Sequence, residues 1–357
     1  MDGCDSTAAQ SFVTRFMADV GGGMVAALCA LGVRLGLFRA LADAGPSRST
    51  ELAARTGLDE RYVREWLHGL AAAAYLRTDA TGEVFSLPPE NAAVLAHEES
   101  PFFMGGAARL VPALGSMLGP VATAFRTGDG IAPERYPGEL FHTMWQMSGS
   151  WLGTLLLPQW VPAVEGLAER LAAGAPVAHI GSGGGRALVL LAGAYPRSRF
   201  TGYDELPLNV EHARQEAVGA GVADRVEFVH GRATDLLPGK GDHALVLALD
   251  VLHDAPDPAQ ALTAVRAALA DDGVLLLLES NGADAPTGNR GPAAALLYGA
   301  SVLYSLPTAR AAGAAEPAGM LGLTEARLRA LCAGAGLSRV RRLPAPTPLN
   351  ALYEIRP

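Results

Sequence analysis

The feature that most limits the fold lies between Pro176 and Ser280, where short apolar runs alternate with helix-length segments. "PVAHIG" leads into "RALVLLAGAY", and "RFTGYD" into "NVEHARQEAVGAG". "VEFVHG" and "HALVLALDVL" follow, then "PAQALTAVRAALA" and "GVLLLLES". Apolar strands separated by helices call for a parallel sheet covered by helices on both faces. The last segments, "LSRVRRLPA" and "NALYEIRP", are strand-like and close enough in sequence to pair as an antiparallel hairpin. The expected class is therefore α/β over residues 166–357, with a doubly wound sheet ending in a hairpin.

The length of 357 residues leaves room for a second domain. Residues 1–165 are expected to form it, mostly from helices. Residues 8–44 place Phe12, Phe16, Val25, Leu28, Leu35 and Phe38 at roughly helical spacing, with glycine breaks between. Then comes "STELAARTGLDERYVREWLHGLAAAAYLR". Ser49 or Thr50 is the expected cap of one helix, Gly57 its end, and Asp59 the cap of a second helix to about Ala73. "LRTDATGEVFSL" reads as a hairpin around Thr81-Gly82. Helix, turn, helix and hairpin make a winged helix.

A winged helix raises the question of DNA. Between residues 49 and 87 the arginines 55, 61, 64 and 77 face acids at 51, 59, 60, 65, 79 and 83, and the net charge of the chain is -8. Phosphate contacts need cations, so nucleic acid is excluded as the expected partner. The apolar stretch Met24–Phe38 is too short to span a bilayer and is interrupted by Arg34, so no membrane is expected. The glycine-interrupted apolar segment 12–38 is too hydrophobic to leave exposed on a monomer, and a homodimer through the N-terminal domain is expected. No basic n-region opens the chain, and Cys4, Cys29 and Cys332 form no CxxC pair, so the expected location is the cytoplasm.

The first apolar strand ends in "HIGSGGGR", with glycines at 181, 183, 184 and 185. Glycines after a strand let the backbone approach a ligand and leave amide groups free at the next helix. The dinucleotide fingerprint would need a further glycine at 186, which is Arg186. Asp204 ends the next strand, where an acid can hold two ribose hydroxyls. Gly181, Ser182, Gly183, Gly185 and Asp204 are the candidate cofactor residues.

With these motifs the chain resembles the class I S-adenosylmethionine-dependent methyltransferases that carry an N-terminal winged-helix dimerisation domain, the small-molecule O-methyltransferases among them. The resemblance runs over nearly the whole chain. It rests on the "LGLF" and "TGLDERYVREWLHGLAAAAYL" segments, the glycine loop, "GYDELP", "LHD" after the fourth strand, the glutamate ending the fifth and the terminal hairpin. It implies a Rossmann-like sheet, S-adenosyl-L-methionine as cofactor and a small-molecule acceptor. The chain departs from the family at two acids. His179 stands where an Asp or Glu helps hold the methionine end. Arg232 stands in "GRA" where the family has "GDA", whose Asp accepts from adenine. A guanidinium has donors only; Asp235, three residues on, is the nearest substitute.

"LDVLHDAPDP" puts His253 and Asp254 just after a strand, at the sheet edge where ligands bind. The resemblance implies that His253 is the general base for an acceptor hydroxyl and that Glu279 orients it; histidine suits that task because it titrates near neutrality. A structural histidine capping the next helix is the other reading. Asp254 and Asp257 read as caps of the helix entered near Pro258. No histidines show metal-ligand spacing, and no metal is expected. The resemblance also makes Phe141, His142, Met144, Trp145, Met147 and Trp151 the lining of a pocket for a bulky apolar or aromatic acceptor, although a Met and aromatic stripe equally suits plain core. The leading expectation is a methyltransferase of secondary metabolism. The alternative is an enzyme on the same fold that has lost methyl transfer and works as a cyclase, dehydratase or other lyase.

Overall fold

The computed structural model describes residues 5–100, 102–344 and 349–357. Cys4 lies outside the described residues. Packing divides the chain into two compact units, Met1–Gly115 with His142–Trp151, and Ser116–Phe141 with Leu152–Pro357. The division does not follow the 165/166 boundary, because Ser116–Phe141 and the residues after Leu152 pack with the sheet.

In the first unit, the helix Ser6–Arg34 runs unbroken for 29 residues. The expected breaks at Gly21–Gly23 do not occur. A Cβ at these three positions would meet nothing, and Met24 and Ala26 follow as good helix formers, so glycine costs the helix some propensity without ending it. The break comes at Gly36, in the left-handed region at φ 69°, before the helix Leu37–Ala44. The long helix is apolar and mostly uncovered: Phe12, Phe16, Met17 and Met24 are all at least 55% exposed. By length and composition it is long enough to cross a membrane, unlike the shorter segment read from sequence. Arg15 and Asp19 lie within it.

The helix Ser49–Thr56 begins one residue earlier than expected. Arg48 is its cap, and Glu51 accepts from the Arg48 amide at 2.8 Å. Gly57 ends it at φ 68°, and Asp59 caps Glu60–Ala72 by accepting from the amides of Arg61 and Tyr62. Strands β1 (Ser47–Arg48), β2 (Arg77–Thr78) and β3 (Val84–Ser86) form a small antiparallel sheet in the order β1-β3-β2. Phe38, Leu52, Leu67, Leu70 and Phe85 fill the core beneath. Trp66 donates its indole N–H to the Leu28 carbonyl at 2.8 Å, which fixes the long helix to the winged helix.

The second unit is built on seven strands: β4 (Pro176–Ile180), β5 (Arg199–Asp204), β6 (Val226–His230), β7 (His243–Leu249), β8 (Leu269–Ser280), β9 (Arg339–Leu343) and β10 (Asn350–Arg356). Their order is β6-β5-β4-β7-β8-β10-β9. The first five are parallel, and β10 pairs antiparallel with both β8 and β9. Leu245, Val246 and Leu247 on β7, and Leu275, Leu276 and Leu277 on β8, have no exposed surface. That is what a strand covered on both faces requires. The strand order reverses between β4 and β7. At such a switch point the loops diverge and leave a crevice beyond the carboxyl ends of the strands.

Candidate active site

The loop after β4 is shaped by its glycines. Gly181, Gly183 and Gly185 have φ of 62°, 53° and 81°, which side-chain-bearing residues rarely adopt. A Cβ on Gly181 would fall 2.2 Å from the Val251 side chain, and one on Gly185 would strike Ala213 and Phe228 at 2.7 Å. At Gly183 a Cβ would meet nothing, so the backbone there borders open space. Asp204 fixes the loop: Oδ2 accepts from the Gly183 amide at 2.8 Å, and Oδ1 accepts from the Leu206 amide and Asn209. Burial raises the pKa of this carboxyl against those hydrogen bonds.

Under the loop, His179 is buried and neither ring nitrogen has a hydrogen-bond partner. Burial alone depresses its pKa to about 3, so it is neutral. The buried Ser182 hydroxyl beside it in the loop is also unpartnered.

The loop after β7 is charged. His253 and Glu279 are both buried, and their side chains meet at 2.7 Å between Nδ1 and Oε2. Glu279 Oε1 accepts from the amides of Leu252 at 2.8 Å and His253 at 3.3 Å. The carboxylate therefore holds the backbone and the ring of the same residue. Asp254 Oδ1 stands 3.4 Å from His253 Nε2, and Ser305 hydrogen-bonds the Asp254 carboxylate. This corrects the expectation that Asp254 caps a helix. Asp257 alone does so, accepting from the amides of Ala259 and Gln260. It also removes the capping reading of His253, whose ring turns to Glu279. Burial by itself lowers the His253 pKa, but Asp254, Glu279 and Asp250 outweigh it and bring it to about 10. The resting ring is an imidazolium between carboxylates, not the near-neutral histidine expected from sequence.

Comparisons with known proteins bear on the domains and the fold. Residues 23–97 match the family described as Rv2258c-like winged HTH domain, and residues 178–275 match the methyltransferase domain family. The chain is a methyltransferase with an N-terminal winged helix. The methyltransferase is 25% identical over 334 residues, 91% of its length and 89% of the relative's, to the mitomycin biosynthesis 6-O-methyltransferase of Streptomyces lavendulae. Its fold is that of the mitomycin 7-O-methyltransferase, with TM-score 0.67 and 24% identity over 98% and 99% of the two chains. It is also that of human N-acetylserotonin methyltransferase, solved with S-adenosylmethionine, with TM-score 0.67 and 19% identity over 100% and 99%.

The remaining candidate residues of the methyltransferase are placed as follows. Arg232 does not occupy an adenine-binding position as an isolated cation. Its Nε meets Glu205 at 2.9 Å and its guanidinium donates to the Ala312 carbonyl at 3.0 Å. It neutralises the acid next to Asp204. Asp235 lies exposed on the short helix Ala233–Leu236 and accepts from the Thr234 hydroxyl. Phe141 is buried in the second unit, with its ring 6.4 Å from that of Tyr304. His142, Met144, Trp145, Met147 and Trp151 belong to the first unit, where the His142 and Trp145 rings lie 4.7 Å apart.

Tyr304 and Asp250 at this edge were missed from sequence, and Asp254 was read as a helix cap. Tyr304 forms an edge-to-face pair with Tyr136 at 5.1 Å, and its phenol pKa is raised by burial and by the charges of Asp254 and Asp204. Asp254 pairs with His253. Asp250 brings a carboxylate oxygen within 4.8 Å of a His253 ring nitrogen and a Glu279 oxygen. No spacing rule reveals the first, because the helical segment 297–311 reads as mostly apolar sequence. The other two sit in the "LDVLHD" segment already singled out.

Proposed function

We propose that this methyltransferase transfers the methyl group of S-adenosylmethionine to a hydroxyl of a small, apolar or aromatic natural product. The His253–Glu279 dyad carries the reading. A buried histidine oriented through Nδ1 by a buried glutamate, at the edge where the strand order reverses, is suited to taking a proton at Nε2.

Residues of the second unit fit the cofactor. Gly183 leaves its approach open, Gly181 and Gly185 keep the loop close to the sheet, and Asp204 retains acceptor capacity on Oδ2 for ribose hydroxyls. When bound, S-adenosylmethionine supplies an electrophilic methyl on a sulfonium. The chain's own residues do the rest. Glu279 holds the His253 ring and its backbone. His253 releases its resting proton from Nε2 and then accepts that of the acceptor hydroxyl. Phe141 and Tyr304 offer aromatic surface for the acceptor's apolar body. The relatives named for natural-product O-methylation favour this reading over a lyase on the same fold.

The test is transfer of a labelled methyl from S-adenosylmethionine to a panel of hydroxylated aromatic and polycyclic compounds. O-methylated product on at least one supports the proposal; cofactor binding with label on nitrogen or carbon only contradicts it. We also propose a homodimer closed through the exposed apolar face of Ser6–Arg34. Light scattering should give twice the monomer mass of 36.9 kDa, and a monomer at micromolar concentration would contradict it.

A further inference from the structure

Asp250 has an uncommon backbone for a residue with a side chain, although Asp tolerates it better than most. At φ 56° it stands in the left-handed region without being glycine, at the carboxyl end of the central strand β7. Such strain persists only where the surroundings impose it, and it gathers at working sites. Here the Asp250 amide is tied to the Leu278 carbonyl on β8 at 2.8 Å, and the next residue, Val251, packs against Gly181 of the glycine loop. Asp250 is therefore clamped between the cofactor loop and the His253–Glu279 dyad.

Its carboxylate differs from its neighbours'. Glu279 is buried and both its oxygens are engaged by Leu252 and His253. Asp254 faces His253 and Ser305. Asp204 holds the Gly183 and Leu206 amides. Asp250 is exposed, and its closest hydrogen-bonding neighbour is Asn350, at a long 3.4 and 3.5 Å. Three carboxylates thus surround one imidazolium, and Asp250 is the most exposed of the three. Desolvation of its inner side, helped by the charges of Glu279 and Asp254, raises the Asp250 pKa to about 6, so it is ionised at neutral pH. Below the glycine loop, by contrast, His179 is neutral and offers a cation no charge.

We propose that Asp250 is the cation-selecting residue of the cofactor site: its carboxylate faces the sulfonium of S-adenosylmethionine and favours the charged cofactor over the neutral thioether product. The proposal rests on the methyltransferase reading above. An organic cation suits the site better than a metal ion, because a metal would have to take Glu279 and His253 from their mutual bond. A sulfonium needs only the exposed Asp250 carboxylate.

The test is calorimetry of the full chain with S-adenosylmethionine, S-adenosylhomocysteine and magnesium ion, each titrated separately into the wild type and Asp250→Asn. Asparagine tolerates the left-handed backbone, so the change removes charge while keeping shape. Affinity for S-adenosylmethionine should fall about tenfold, the scale of one charge pair at a partly screened distance. Affinity for S-adenosylhomocysteine should stay within about twofold on the same argument, since it has no sulfonium, and it also reports that the variant is folded. Asp250→Glu should recover part of the loss. Equal loss for both ligands, no loss for either, or magnesium binding that vanishes in the variant would each overturn the assignment. A wild type that binds neither adenosyl ligand would overturn the methyltransferase reading itself, and Asp250's role with it.

Discussion

The loops after β4 and β7 leave the same edge of one sheet, and they are built from different materials. The β4 loop works by shape: three glycines in left-handed backbone, a neutral buried histidine beneath, and an aspartate spent on holding amides. The β7 loop works by charge: a histidine, its glutamate and two aspartates within a few residues of sequence or one strand away. Adjacent parallel strands at a switch point allow such a division, because a ligand lying across both loops is held by one and acted on by the other.

The shape side should break most abruptly. Gly181→Val puts a side chain where Val251 already stands at 2.2 Å, in backbone that valine avoids. Binding of S-adenosylhomocysteine should fall by roughly a hundredfold or more, the scale of a misplaced positioning element. Calorimetry showing wild-type affinity would mean the loop is not the cofactor cradle.

The charge side should respond in two measurable ways. Glu279→Gln removes a cause of the raised His253 pKa, so the rising limb of the pH–rate profile should move to lower pH. Turnover on its alkaline side should fall roughly tenfold or more from lost orientation. An unmoved profile would separate Glu279 from the base. Stability follows the same group. His253 has an ordinary pKa of 6.5, raised to about 10 in the fold. The folded state binds the proton more tightly, so this contribution is complete below about pH 6.5 and is lost as pH climbs to about 10. The melting temperature of the wild type should decline across that window, and His253→Ala should flatten the decline.

The smallest effect is expected at Arg232. From sequence alone, Arg232→Asp looks like a repair that should tighten cofactor binding. The ion pair with Glu205 reverses that expectation, because the aspartate would face a like charge beside Asp204. A few-fold weaker binding is expected, on the scale of a half-exposed ion pair. Tighter binding would return Arg232 to the adenine position.

What could be read from the sequence follows the range of each signal. The parallel strands, the glycine loop, the terminal hairpin and the caps at Gly57 and Asp59 are encoded by runs of adjacent residues, and all form. The unbroken helix through residues 21–23 was not legible, since three glycines ordinarily argue for a break, yet helix Ser6–Arg34 runs through them. Within the site, His253 and Glu279 were found through motif position. Their protonation was not, because it depends on carboxylates that converge only after β7 and β8 pair. Asp250 was passed over as one acid in a motif read for its histidine. The partner of Arg232 was invisible for the same reason: Glu205 lies at the end of β5 and Arg232 just beyond β6, and pairing of the two strands brings them together.

The central claim is that His253, held by Glu279, takes the acceptor's proton. The most direct test is methyl transfer measured from pH 6 to pH 10 for the wild type and His253→Ala, on an acceptor found in the panel above. The wild-type rate should climb with pH toward the His253 pKa of about 10. The variant should be roughly a hundredfold slower or worse at the alkaline end, with no such climb and with S-adenosylhomocysteine affinity intact. A variant that matches the wild type in rate and in pH dependence would contradict the account.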